Sequence, residues 1–187
     1  MGQFSAKLCK FLPFKPDESR ILVTGVKGAG KTTLLGNLRL GVIEPHQNIE
    51  LGMQTIKYKN MKFTSLDLDA FPLNSIPYEN LYKGYEGIIF IVDSQDKKKM
   101  KYVLPYFKKL LAEKDLENIP ILIFANKQDI DAKVMSLQEI SKIFELPNII
   151  NRQYYINGLC AFTNEGLNDA LFWLSHVINC RKYQLKM

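Results

Sequence analysis

Arg20-Ile21-Leu22-Val23-Thr24-Gly25-Val26-Lys27-Gly28-Ala29-Gly30-Lys31-Thr32-Thr33 holds the reading that decides the fold. Ile21-Leu22-Val23 is an unbroken apolar run ending at a glycine, which reads as a buried strand entering a turn. A helical pattern follows over 31–40. Between them, Gly25 to Thr32 satisfies G-x-x-x-x-G-K-[ST] at each fixed position, in the strand–loop–helix context that the motif needs. The glycines let consecutive N–H groups of Val26 through Thr33 wrap phosphate oxygens, and the helix N-terminus adds partial positive charge. Lys31 would reach the β- and γ-phosphates, and the Thr32 hydroxyl would ligate Mg²⁺.

Working outward, Gln54–Tyr58 and Met61–Leu66 read as strands joined at Lys59-Asn60. The runs 87–92 and 119–124 are continuously apolar, as in parallel strands buried on both faces. Between them Met100, Val103, Leu104, Phe107, Leu110 and Leu111 share a helix face, with Pro105 expected to kink it. Ser136-Leu137-Gln138-Glu139 has the form of a capping box, opening a helix with Leu137, Ile140, Ile143 and Phe144 inward. Tyr154–Ile156 reads as a last short strand. Leu167, Ala170, Leu171, Leu174, Val177 and Ile178 mark a final amphipathic helix with Trp173 packing beside it. Strands alternating with helices predict an open α/β sheet.

Asn126-Lys127-Gln128-Asp129 follows a buried strand, where the second half of an α/β sheet presents its ligand loops. A carboxylate at Asp129 can accept hydrogen bonds from guanine N1–H and N2–H₂, which adenine cannot supply. Asn126 can fix the loop and the N7 edge, and the Lys127 stem can cover ring and sugar. Downstream of a phosphate loop this tetrapeptide argues for GTP and GDP.

With 187 residues, 47% hydrophobic and 24% charged, the chain has the composition of one globular domain with a sizeable core. Disordered, collagen-like and disulfide-framed classes are excluded. No apolar run approaches the ~18 residues of a spanning helix. Lys plus Arg number 25 against 19 Asp plus Glu, giving a formal charge of +6. Lys97, Lys98, Lys99 and Lys101 form one basic cluster; Arg181, Lys182 and Lys186 form another. Each reads either as a solvated face or as attraction to an anionic surface. The chain lacks an aromatic–basic RNA motif and a zinc pattern, so nucleic acid is not an expected partner. Cys9, Cys160 and Cys180 are an odd number without metal-ligand spacing, which suits a reduced compartment. Phe4, Leu8, Phe11 and Leu12 recur at helical spacing before Pro13 and Pro16. Such a helix either lies in a bilayer interface or packs on the domain.

At these residues the sequence resembles the ADP-ribosylation factor (Arf) and Arf-like small GTPases over essentially the whole chain. The likeness is carried by Met1-Gly2, the first helix, 29–35, Tyr58-Lys59-Asn60, Val92-Asp93-Ser94, 124–129, Cys160-Ala161 and Gly166-Leu167. It implies a mostly parallel six-stranded sheet with helices on both faces, plus an N-terminal amphipathic helix. It also implies segments 1–19 (helix and linker), 20–180 (GTP-binding domain) and 181–187 (basic tail). Cys160 and Ala161 would offer backbone N–H groups to guanine O6. Gly2 would be myristoylated, although Ala6 stands where the acylation motif has Ser or Thr. One such chain binds weakly, so the first helix would add a second signal. Cys9 reads either as acylated or as an apolar helix position. The hairpin would shift register between nucleotide states and expel the first helix. A role in vesicle-mediated and intracellular protein transport would follow, on a cytosolic Golgi or endomembrane face, with an exchange factor, an activating protein and effectors.

The departures concern the γ-phosphate. The family's first switch has a threonine that ligates Mg²⁺; here 34–54 holds neither Ser nor Thr, and Asn48 takes that place. Its amide oxygen can also ligate Mg²⁺. The second switch reads Asp67-Leu68-Asp69-Ala70-Phe71 instead of Asp-x-Gly-Gly-Gln. Asp67 can still hold Mg²⁺ through water, and Ala70 still offers its N–H to the γ-phosphate. Phe71 replaces the glutamine that positions the attacking water and cannot hydrogen-bond. Since each tenfold in rate is roughly 1.4 kcal/mol, slow hydrolysis is expected. Lys27, where the family has Asp, reads as a cation in cis, as an obstacle to an activating partner, or as a solvated side chain. Two functions remain open: a slow GTPase switch, or a nucleotide-loaded module that recruits partners without turnover. A P-loop kinase is disfavoured because 40–151 contains no arginine for a phosphoryl-transfer lid.

Overall fold

The computed structural model describes residues 18–40, 53–66, 81–129 and 134–185. Of the positions singled out above, Gly2 and the first helix, Asn48, Asp67, Ala70 and Phe71 lie outside the described residues.

The described residues form six strands in one sheet: β1 (Ser19–Thr24), β2 (Met53–Tyr58), β3 (Met61–Leu66), β4 (Gly87–Asp93), β5 (Ile121–Asn126) and β6 (Tyr154–Leu159). Four helices accompany them: α1 (Lys31–Leu40), α2 (Met100–Ala112), α3 (Leu137–Ile143) and α4 (Leu167–Leu185). The strand order is β2-β3-β1-β4-β5-β6, parallel throughout except for the β2–β3 hairpin. Lys59 turns that hairpin with φ +53°. This is the α/β architecture that the alternation of apolar runs implied.

Apolar side chains alternate between two cores. Ile21, Val23, Ile89, Ile91, Leu122 and Phe124 face α1 and α4, meeting Leu34, Leu35, Leu171 and Leu174. Leu22, Ile88, Phe90, Ile121 and Ile123 face α2 and α3, meeting Val103, Phe107, Ile140 and Phe144. Every residue of β4 and β5 is buried, which explains their unbroken hydrophobicity. Phe107 centres the second core, edge-on to Phe90 at 4.9 Å and stacked on Phe144 at 4.6 Å. Ser136 caps α3, accepting from the Glu139 N–H at 3.2 Å, while the Glu139 carboxylate accepts from the Ser136 N–H at 2.9 Å.

Several element limits differ from the sequence reading, each for a local reason. β5 begins at Ile121 because Pro120 has no N–H for the ladder; its carbonyl accepts from Ile88 instead. β6 continues through Asn157-Gly158, residues of low strand preference, because β5 pairs with it as far as Leu159. α2 carries Pro105 within a single helix, one and a half turns in, so one ladder bond is forgone and the helix continues. α4 runs on to Leu185, making Arg181 and Lys182 helix residues rather than tail. Lys182 Nζ donates to Ser19 Oγ at 3.1 Å and pairs with Glu86 at 2.9 Å, fastening the end of α4 to the start of β1.

Removal of the ring at the centre of the second core tests this packing. Phe107→Ala should lower unfolding free energy by about 3–5 kcal/mol in urea denaturation, with the far-UV spectrum retained. A loss under about 1 kcal/mol would show that Phe107 is not a core residue.

Candidate nucleotide site

The phosphate loop is shaped by two glycines that no other residue could replace. Gly25 has φ +142°, and a Cβ there would collide with the Ile91 carbonyl oxygen of β4. Gly30 has φ +108°, and a Cβ there would collide with the side-chain amide of Asn126. The turn is closed by Ala29 N–H donating to Val26 O at 3.2 Å, and α1 starts as Leu34 N–H donates to Gly30 O at 2.9 Å. Lys31 is buried, and its ammonium donates to the Gly25 and Val26 carbonyls at 2.5 and 3.1 Å. Lys27, Gly28, Thr32 and Thr33 are exposed along the mouth of the loop. No acidic side chain occupies the first turn of α1, where the amide dipoles favour an anion. A glycine-shaped loop, a buried lysine and a helix N-terminus brought together in this way are suited to a polyphosphate.

The second half of the site gathers on Asn126, which is 2% exposed at the end of β5. Its Nδ2 donates to Ala29 O at 2.8 Å, and its Oδ1 accepts from the Ala161 N–H at 2.9 Å. One side chain thus joins the phosphate loop to the loop after β6. Asn37 of α1 reinforces the tie, donating from Nδ2 to Ala161 O at 2.5 Å and Phe162 O at 3.0 Å. Lys127 sits in the left-handed region at φ +66°, and its Nζ pairs with Asp93 Oδ2 at 2.6 Å. Asp93 Oδ1 accepts from the Gln95 N–H at 3.0 Å. Gln128 Nε2 donates to Ser94 Oγ at 2.9 Å, and Asp129 follows with its carboxylate exposed. The Asp96 carboxyl is held below its ordinary range, first by the Lys99 side chain and to a smaller extent by the charge of Lys127.

Gly25 to Thr33, Asn126, Lys127, Asp129, Cys160 and Ala161 therefore converge at the carboxyl ends of β1, β5 and β6, where open α/β sheets bind ligands. The amides of Cys160 and Ala161 are not idle: Cys160 N–H donates to Glu165 O at 3.1 Å and Ala161 N–H to Asn126 Oδ1. In this arrangement the loop anchors Asn126, and Ala161 N–H could meet a base only by sharing or exchanging its proton's partner. Asn37 and the pairing of Asp93 with Lys127 were not anticipated. Asn37 lies in an ordinary amphipathic helix pattern, and Asp93 ends a strand whose apolar run conceals its charge. Of the Mg²⁺ ligands expected from sequence, Thr32 is described, at the exposed first turn of α1.

A family model described as "ADP-ribosylation factor family" matches residues 5–178. The chain belongs to the ADP-ribosylation factor family. Arf-family proteins are small GTPases of membrane traffic, which bind GTP, GDP and Mg²⁺ and act with exchange factors, activating proteins, effectors and membranes. In this Arf-family chain no helix of the described residues is long and apolar enough to cross a membrane.

The tie through Asn126 has a measurable cost of removal. Asn126→Ala leaves Ala29 O and Ala161 N–H without their buried partner and should lower stability by about 2–3 kcal/mol. Amide exchange should accelerate at Gly30 and Ala161 together. Exchange confined to one of the two loops would show that Asn126 does not couple them.

Proposed function

We propose that this Arf-family chain is a guanine-nucleotide switch that holds GTP or GDP with Mg²⁺, hydrolyses GTP slowly, and cycles on a cytosolic membrane face in vesicle-mediated protein transport. The observation that carries the reading is the Asn126 side chain bonded to both Ala29 and Ala161, which makes phosphate loop and base loop one unit. The membrane part, through a myristoylated Gly2 and the first helix, rests on the family and on the sequence of 2–12. An exchange factor, an activating protein and effectors complete the proposed cycle.

Within that reading Lys31 directs its ammonium toward phosphate oxygens, where developing charge in phosphoryl transfer strengthens the contact. The amides of 26–33 hold the phosphates, and the hydroxyl of Thr32, with Asp67 and Asn48, would hold Mg²⁺. Bound Mg²⁺ would neutralise charge on the β- and γ-phosphate oxygens. Asp129 accepts from the guanine Watson–Crick edge, and the Lys127 stem covers the ring. Ala70 supplies an amide at the γ-phosphate, while Phe71 offers no hydrogen bond to an attacking water. These two substitutions also favour the second reading, a pseudo-GTPase that holds nucleotide and recruits partners.

Full-length protein loaded with GTP and Mg²⁺, with bound nucleotide separated by ion exchange over several hours, discriminates the two. Conversion to GDP faster than free GTP supports the slow switch; bound GTP that stays intact supports the binding module. Base choice is checked separately by calorimetry. Asp129→Asn should weaken GDP binding by at least about tenfold and strengthen xanthosine diphosphate binding, since each lost charged hydrogen bond is worth ~1.5–3 kcal/mol. Unchanged GDP affinity in that variant would remove Asp129 from the site.

A further inference from the structure

The strand order ends at β6, so among the described residues one side of that strand has no neighbour. Ile121 N–H donates to Gln153 O at 3.0 Å, and Gln128 N–H donates to Leu159 O at 3.3 Å. With Ile121 in register with Tyr154, the main-chain groups of 153, 155, 157 and 159 turn toward β5, and those of 154, 156 and 158 turn outward. Gly166 lies against the Gly158 carbonyl, which a Cβ on Gly166 would strike, and Asn157 Nδ2 donates to Gly166 O at 2.7 Å. The turn after β6 therefore closes the edge at Gly158 and leaves it open at Tyr154 and Ile156.

Open strand edges are ordinarily guarded by charge, proline or a bulge. The other edge strand, β2, carries Lys57, paired with Glu18 at 2.7 Å. From Gln153 to Asn164 the chain has neither a charged residue nor a proline. Beside the open edge lies a groove of about 530 Å³, lined by Leu137, Ser141, Lys142, Glu145, Pro147 and Ile156. On the other face of the sheet the Tyr155 ring packs on Trp173 at 5.3 Å, and its hydroxyl donates to Asn157 Oδ1 at 3.4 Å.

We propose that a second copy of this chain docks on the open edge of β6, antiparallel strand to strand, about a two-fold axis at Tyr155. The register follows from the groups that are open. Tyr154 of each copy exchanges both main-chain bonds with Ile156 of the other, which uses the outward groups at both positions and asks nothing of Gly158. Tyr155 then meets its own counterpart as a non-hydrogen-bonded pair, with Cα atoms about 4.5 Å apart and aromatic against aromatic. Charge favours this contact between copies. Each copy carries +6, and the uncharged stretch 153–164 is where two such chains meet with least repulsion. The rim of the groove carries both signs, so the two-fold axis can set Lys142 of one copy against Glu145 of the other. The two sheets become one, with the phosphate loops at its opposite ends.

Sedimentation equilibrium of the full-length chain over a range of concentrations should show monomer and dimer. Tyr155→Cys, oxidised with diamide, should form a covalent dimer linked from 155 to 155, because a non-hydrogen-bonded antiparallel pair has the separation that a disulfide needs. Gln153→Cys is exposed on the same face but falls opposite Asn157 of the second copy, so it should not link at 153. Peptide mapping separates either link from those of the native cysteines. Tyr155→Lys sets like charges against each other across the axis and should weaken association by about tenfold or more, with circular dichroism unchanged. A parent chain that stays monomeric throughout the range would overturn the proposal. So would equal cross-linking in the two cysteine variants, or a dimer that Tyr155→Lys leaves intact.

Discussion

The side chain of Asn126 is the contact on which the described site depends. It is buried, neutral and satisfied at both ends, by Ala29 of the phosphate loop and by Ala161 of the loop after β6. A glycine at position 30 is required because the amide occupies the space that a side chain would take. Three loops that are far apart in sequence are thereby held within hydrogen-bond reach, and local opening of one has to include the others. Buried polar groups of this kind are stabilising only when partnered, and both ends of the Asn126 amide are.

The rest of the fold presents that junction. Parallel strands place all their following loops at one end, and two apolar cores hold the strands rigid from both faces. The phosphate loop gains its shape from how closely Gly25 approaches β4, so a sheet position sets the loop geometry. Lys127 and Asp93 lie on adjacent strand ends, and their ion pair fixes where the lysine stem runs.

What was legible in the sequence depended on whether the signal is local. Gly25 to Thr32 and Asn126 to Asp129 are contiguous motifs, and each contains its own chemistry. β4 and β5 declare themselves because both faces are buried, and the Ser136 capping box is complete within four residues. Contacts between distant residues left no such trace. The bonds from Asn37 to Ala161 and Phe162 join positions more than a hundred residues apart. The amides of Cys160 and Ala161 are spoken for by Glu165 and Asn126, a fact about tertiary geometry that composition cannot encode. β6 outruns its own strand preference because a neighbour extends it, and α4 outruns its apolar stripe because Lys182 finds partners at the base of the sheet.

The fastening of Lys182 to Ser19 and Glu86 has a consequence for how the molecule is oriented. It brings the end of the last helix to the point where the first strand enters, at the floor of the sheet. The ligand loops lie at the ceiling, separated from that floor by a strand of six residues, or about 20 Å. Whatever contacts the molecule at that floor does so a full strand away from the phosphate loop, so the two ends of the sheet can be engaged at once.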